Sequence, residues 1–151
     1  PERGGEIFET LRKYYNFKIS RRSLGDSINS DTDIYLADTI GELGLFFSLS
    51  KITFMGKSLV PLGGQNPIEP LKLGSAVIHG PHMNNFTEIV KELSKFSCAI
   101  KIDNSNQLFT EVSDLLSNKK KIKNLIKNGK IYISSKKLVA ESIKNKIVSL
   151  L

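Results

Sequence analysis

Short apolar runs alternate with longer amphipathic stretches along this chain, and that alternation limits the fold more than any other feature. DIYLAD (33–38), KITFMG (51–56), AVIHG (76–80) and CAIKI (98–102) read as strands, with a further short candidate at 17–21. Between them the apolar residues take a helical period. The spacing predicts helices over 5–15, 43–49, 67–73, 84–96 and 106–116, and two more in the tail, over 119–128 and 136–150. On the first helix Ile7, Phe8, Leu11 and Tyr15 fall on one stripe. Strands of four to six residues that are apolar throughout suit a parallel sheet covered on both faces by helices. The expected class is α/β, a doubly wound Rossmann-like parallel sheet. In that architecture ligands bind outside the carboxyl ends of the strands. The loops after Asp38, Gly56 and Gly80 therefore become the place to look.

The chain is long enough to bury a core as one domain, at 151 residues. No apolar run approaches the roughly 20 residues that span a bilayer. The opening PERGGEIFET lacks an initiator Met, so the sequence reads as an excised piece of a longer protein. Cys98 is the single cysteine, which excludes an internal disulfide and a cysteine-cluster metal site. Net charge is +7, and residues 118–151 hold ten Lys and one Glu, or +9, leaving 7 − 9 = −2 for the rest. The basic character belongs to the tail, with a boundary near 118, and has to be explained apart from any site in the front.

The stretch LVPLGGQNPIEPLKLG (59–74) concentrates backbone specialists. Gly63 and Gly64 open conformations closed to other residues and let a ligand approach the backbone. Asn66 is placed as a helix N-cap, with Pro67 at the first helical position. Free N–H groups at such a start favour an anion. Glu69, at the third helical position, has two readings. It completes a capping box by reaching back to the cap, or it accepts hydrogen bonds from a sugar diol. In the loop DTIGELG (38–44), Gly41 sits at another helix start; the plain alternative is Thr39 capping with Glu42 as its partner. In FMGKSLVP (54–61), Gly56, Lys57 and Ser58 leave a strand end. Lys57 either meets a phosphate or is merely solvated. Neither GxxxxGK[ST] nor GxGxxG is present, so this is not a Walker loop or a dinucleotide fingerprint.

Taken together, DTIGELGLFFSLSKITFMGKSLVPLGGQNPIEPLKLGSAVIHGPHMNNFTEI resembles the donor-binding half of the 3-deoxy-D-manno-octulosonic acid (Kdo) transferases. The family pattern is an Asp-Thr-Met-Gly-Glu-Leu loop, a Phe-x-Gly-Gly-Ser-Leu strand end, Gly-Gly-His/Gln-Asn-x-x-Glu-Pro, then Gly-Pro-His and Asn-Phe. The likeness runs over about 1–102, and PER and RRSLGD fit it as well. It implies one half of a GT-B glycosyltransferase: the C-terminal domain, binding the CMP part of CMP-Kdo. The implied reaction is inverting transfer of Kdo to a lipid A precursor, in lipopolysaccharide biosynthesis. The catalytic general base would lie in the N-terminal domain, so no catalytic residue is expected here. Glu69 would hold the ribose hydroxyls, and Asn66 with the helix start would face the phosphate. Gly41, Glu42 and Leu43 would touch the nucleotide, and Ser58, Gly63, Gly64 and Gln65 complete the implied set. Ile40, Lys57 and His82 are further candidates. Ile40 replaces the usual Met, and Lys57 replaces the second Gly of Gly-Gly-Ser, which puts the local backbone in question. No metal or other cofactor is implied. The full-length enzyme would work on the cytoplasmic face of the bacterial inner membrane, with this piece soluble and inactive alone.

Other signals are set aside. Asp31 and Asp33 match a metal-binding Asp-x-Asp but precede a strand, at the wrong end for a site. His79 and His82 have no third ligand; His79 reads as packing, and Cys98 as a small buried residue. The tail SNKKKIKNLIKNGKIYISSKK is a solvated helix face or a surface drawn to anionic membrane. Nucleic acid is not expected as a partner, because Tyr132 is the tail's lone aromatic. The alternatives to a Kdo transferase are a GT-B domain for another nucleotide sugar, such as a UDP-sugar, and a basic binding module without catalysis.

Overall fold

The computed structural model describes residues 2–148. The chain forms two compact units, Pro1–Phe46 and Phe47–Leu151.

In the first unit, helix α1 (Gly4–Tyr14) precedes strands β1 (Ile19–Arg21) and β2 (Ile34–Leu36). The strands pair in parallel, Ile19 opposite Ile34 and Arg21 opposite Leu36. The apolar stripe expected on α1 is only half realised. Phe8 and Leu11 are half-buried, whereas Ile7 and Tyr15 are exposed. A polar anchor holds this unit instead. Arg21 Nε and both the N–H and hydroxyl of Ser23 donate to the Asp38 carboxylate, the Ser23 bonds at 2.9 and 2.8 Å. Burial opposes the charge on Asp38, but Arg21 and Ser23 outweigh it and hold the carboxyl well below its ordinary value. Gly4 starts α1 directly over this carboxylate: a Cβ there would lie 2.5 Å from Asp38 Oδ2.

In the second unit, β3 (Ile52–Phe54), β4 (Ala76–His79) and β5 (Ala99–Lys101) make a parallel sheet in the order β3-β4-β5. Ile52 stands opposite Ala76, and Val77 opposite Ala99. The strands are three or four residues long, shorter than expected, and only the central β4 is buried at every position. Edge strands have one neighbour, so their residues stay partly open. Side chains of β4 alternate between two cores, as a pleated strand requires. Val77 packs with Met55, Leu71, Met83, Leu93, Cys98 and Tyr132. Ala76 and Ile78 pack with Ile102, Leu115, Ile122 and Leu125. Helices α3 (Ile68–Lys72), α4 (Thr87–Lys95), α5 (Ser105–Ser117) and α6 (Lys119–Val148) supply Leu71, Leu93, Leu115 and the group Ile122, Leu125 and Tyr132, and the loops supply the rest. The helix expected to open at 84 begins instead as a 3-10 turn, Asn84–Phe86. α2 (Leu43–Leu49) carries the boundary between the units.

The tail differs from the two helices expected. α6 is one helix of 30 residues, and positions 149–150 of the second expected helix lie outside the described residues. Gly129 lies inside this helix, where a glycine costs about 1 kcal/mol. It serves close approach: a Cβ on Gly129 would lie 2.9 Å from Leu71 Cδ2. Either side of that crossing α6 reaches both cores, Ile122 and Leu125 in one and Tyr132 in the other. Tyr132 OH donates to Glu92 Oε2 at 2.9 Å and Lys136 Nζ to Glu92 Oε1 at 2.6 Å, which carries the helix straight on. Among the described residues no helix is long and apolar enough to cross a membrane.

Leu71, 2 % exposed, is the point where α3, α6 and the sheet meet. Leu71→Ala should cost about 2–5 kcal/mol of stability, read from the urea midpoint of the variant against the parent.

Candidate functional site

The loop after β3 is built on Ser58. Its hydroxyl is fully buried, donates to Met55 O at 2.5 Å and accepts from Gly80 N at 2.8 Å. Its carbonyl accepts from His82 N at 2.9 Å. The ends of β3 and β4 are thereby clamped together. Gly80 has no room for a side chain, since a Cβ would lie 2.2 Å from Ser58 O. The Ser58 side chain therefore faces inward and is occupied by protein groups. Just before it, Lys57 has φ of 62°. The lysine adopts the left-handed conformation that a glycine takes freely, which answers the question its presence raised; it costs a non-glycine residue about 1 kcal/mol or more.

Gly63 and Gly64 both have positive φ, 82° and 74°. Neither could carry a side chain in the observed packing. A Cβ on Gly63 would meet the Asn85 amide at 2.4 Å, and one on Gly64 would meet Met83 Sδ at 2.3 Å. Sequence reasoning assigned no role to Met83 or Asn85, which lie over the double glycine. The visible signal was the HMNNF stretch itself, but nothing in it says which residues it touches. The N–H groups of Gly64, Gln65 and Asn66 donate no hydrogen bond within the described residues.

α3 starts at Ile68, one residue later than expected, with Pro67 rather than Asn66 at the N-cap position; Asn66 Oδ1 reaches across it and accepts from Ile68 N at 3.0 Å. α3 is five residues long, so its dipole is that of a single turn, less than the helix start the sequence suggested. The capping box is not formed. Glu69 is exposed, and its carboxylate has no hydrogen bond or ion pair within the described residues. Both its oxygens are open to an external donor. Gln65 is also exposed, and His82 is half-buried with its ring making no hydrogen bond among the described residues. His79 is buried and bonds through Nδ1 to Gly80 O at 2.8 Å; burial pushes its pKa down, so it is a neutral packing residue. Cys98 is buried too, its thiol pushed up to about 11 by desolvation.

In the first unit the 39–43 turn is organised around Glu42. Arg22 grips its carboxylate with Nε at 3.0 Å to Oε2 and a terminal nitrogen at 2.6 Å to Oε1, and the Thr39 hydroxyl donates to Oε2. Thr39 thus bonds the Glu42 side chain rather than capping the backbone. Gly41, at φ 86°, closes the turn between them, with Ile40 and Leu43 exposed on either side. Hydrogen bonds from Arg22 and then Thr39 pull the Glu42 carboxyl down to about 2. Arg22 stood in the sequence only within RRSLGD, without a partner; a bidentate pair across 20 positions has no local signature. Asp31 and Asp33 are both engaged by Lys18, through its ammonium at 2.6 Å and its N–H at 2.9 Å. Among the described residues no three His, Cys, Asp or Glu side chains gather into a metal-binding group.

No family model matches the chain. It is 34% identical over 129 residues to the 3-deoxy-D-manno-octulosonic acid transferase of Haemophilus influenzae, covering 85% of this chain and 30% of that protein. It is 37% identical over 117 residues to the enzyme of the same name from Rickettsia felis, covering 78% of this chain and 25% of that one. The crystal structure of the C-terminal CMP-Kdo binding domain of WaaA from Acinetobacter baumannii superimposes with a TM-score of 0.84 at 34% identity, over 88% of this chain and 69% of that one. The architecture is that of one Rossmann-like half of a GT-B glycosyltransferase. The chain belongs to the 3-deoxy-D-manno-octulosonic acid transferase family. It spans about a third or less of the length of the relatives it matches.

Glu42 has a stated acid-limb consequence. Its folded-state carboxyl lies below its ordinary value of 4.5, so the stability it contributes is fully present above about pH 4.5 and is lost as pH falls toward about 2. Asp38 acts with the same sign. Arg22→Gln should flatten the fall of the urea midpoint over this window while leaving the Asp38 part in place.

Proposed function

We propose that this chain is the donor-binding domain of an inverting glycosyltransferase that moves Kdo from CMP-Kdo to a lipid A precursor. The observation that carries the reading is the Gly63–Glu69 turn. Asn66 bonds the first N–H of α3, and among the described residues the Glu69 carboxylate and the N–H groups of Gly64, Gln65 and Asn66 in this turn make no hydrogen bond. A carboxylate that accepts two hydroxyls and amides that donate to a phosphate are what a nucleoside monophosphate needs. The Acinetobacter relative is a CMP-Kdo binding domain, and that likeness supports the choice of donor.

Within this reading Glu69 holds the ribose hydroxyls. The amides of Gly64, Gln65 and Asn66 take up phosphate charge, both in the bound donor and as CMP leaves. Such preformed donors cost no reorganisation as charge develops, and no metal is required for that role. Ser58 acts from beneath, by fixing the loop. In the first unit the Glu42 carboxylate is occupied by Arg22 and Thr39, unlike that of Glu69. The general base, the acceptor site and the rest of the cleft belong to an N-terminal domain. The full-length enzyme then works at the cytoplasmic face of the inner membrane, where a lipid acceptor is met, and this chain alone transfers nothing. The relatives' names speak against a UDP-sugar domain or a basic module without catalysis.

Calorimetric titration of this chain with CMP tests the reading. CMP should bind, UMP should compete poorly, and Glu69→Ala should weaken CMP by about tenfold or more, the scale of a hydrogen-bonded charge removed. CMP affinity unchanged by Glu69→Ala would move the ribose site elsewhere.

A further inference from the structure

Six lysines of α6 form two contrasting sets. Lys121 reaches Glu111 and Asp114, both at 2.7 Å, and Lys136 reaches Glu92 at 2.6 Å. These are neutralised inside the second unit. Lys119, Lys123, Lys127 and Lys130 are not: none has an ion pair or hydrogen bond within the described residues. Their spacing of four, four and three places each beside the next on one helix face. Like charges so placed repel and destabilise a helix. Folding of this unit therefore gains nothing from the row, and an external anion would relieve it.

The row borders an apolar channel. Lys51 and Lys119 flank Ile122 and Ile126 in a cleft of about 250 Å³. That cleft shares Lys123 and Ile126 with a groove of about 680 Å³ that runs on past Lys127 and Lys130 to Ile131 and Leu138. Among the described residues no carboxylate lines either one. Ile131 is 49% exposed and Leu138 67%.

We propose that this face of α6 docks on an anionic lipid bilayer. The lysine ammonium groups would meet headgroup phosphates while their stems, Ile131 and Leu138 sit at the acyl boundary. The mixture of charge and aliphatic surface decides the occupant. A nucleic acid would meet the lysines but offers nothing to Ile126, Ile131 and Leu138, and the strip has no aromatic on which a base could stack. The inference goes beyond the donor reading and does not depend on it, because none of these residues belongs to the proposed CMP site.

The test is co-sedimentation of this chain with vesicles of phosphatidylglycerol and phosphatidylethanolamine, against vesicles of phosphatidylcholine. Binding should be confined to the anionic vesicles and fall with salt. Each lysine near such a surface contributes about fivefold in partitioning. Lys123→Gln/Lys127→Gln/Lys130→Gln should then lose about a hundredfold. Lys13→Gln/Lys72→Gln/Lys95→Gln, with the same change in net charge, should lose far less. Ile131→Ser/Leu138→Ser should weaken binding and keep its salt dependence. Thermal unfolding of the Gln triple variant should be unchanged or raised, since repulsion is removed, and its CMP titration should match the parent. Equal losses in the two triple variants, equal binding to neutral vesicles, or binding of an oligonucleotide in place of vesicles would each overturn the proposal. Loss of CMP binding in the parent chain would sink the donor reading and leave this one standing.

Discussion

The burial of β4 is the constraint on which the second unit depends. A four-residue strand hidden at every position must have a neighbour on each side and a helix layer on each face. Val77 and the Ala76–Ile78 pair supply the two cores, and every helix of the unit finds its place against one or both. The same demand fixes where the loops leave. With β3 and β4 in parallel and in register from Ile52 and Ala76, their carboxyl ends arrive together. The Ser58 hydroxyl then has the Met55 carbonyl and the Gly80 amide within reach.

From that clamp the candidate site follows by exclusion of side chains. Gly80 passes too close to Ser58 to carry a Cβ, Gly63 lies under Asn85, and Gly64 lies under Met83. The loop is dense with protein on its inner side, and among the described residues the amides of Gly64, Gln65 and Asn66 and the Glu69 carboxylate have no partner. Lys57 shows how tightly the path is set, since a residue with a Cβ is held in a left-handed conformation rather than the loop changing course.

Charge is handled differently in different places. Asp38 and Glu42 are satisfied from within the first unit, and both carboxyls are driven down by their partners. Glu92 and Lys121 tie α6 to its neighbours. Glu69 and the row Lys119, Lys123, Lys127 and Lys130 have no partner among the described residues. Unanswered charge is the common mark of the surface proposed for a ligand and the surface proposed for a bilayer.

Much of this was legible in advance. Period and punctuation are local, and they placed the strands at Ile34, Ile52, Ala76 and Ala99 and the helices between them. The motif run from Asp38 to Asn85 pointed to the family, and the double glycine and Lys57 were recognised as backbone positions. What was missed lies at long range. The tail was expected as two helices, and what lets one helix run through Gly129, its close approach to the Leu71 side chain, is 58 positions away in sequence (129 − 71). Glu69 had two readings until the structure showed Asn66 accepting from Ile68 N without it. Nothing beside Glu42 in the chain revealed its pair with Arg22. The sequence by itself determined which segments are strand, helix and turn, because those choices depend on neighbours a few residues apart. Only the tertiary structure decided which polar groups are consumed by the protein and which remain open, because a hydrogen bond is settled by whatever the fold brings within about 3 Å, not by what adjoins it in the chain.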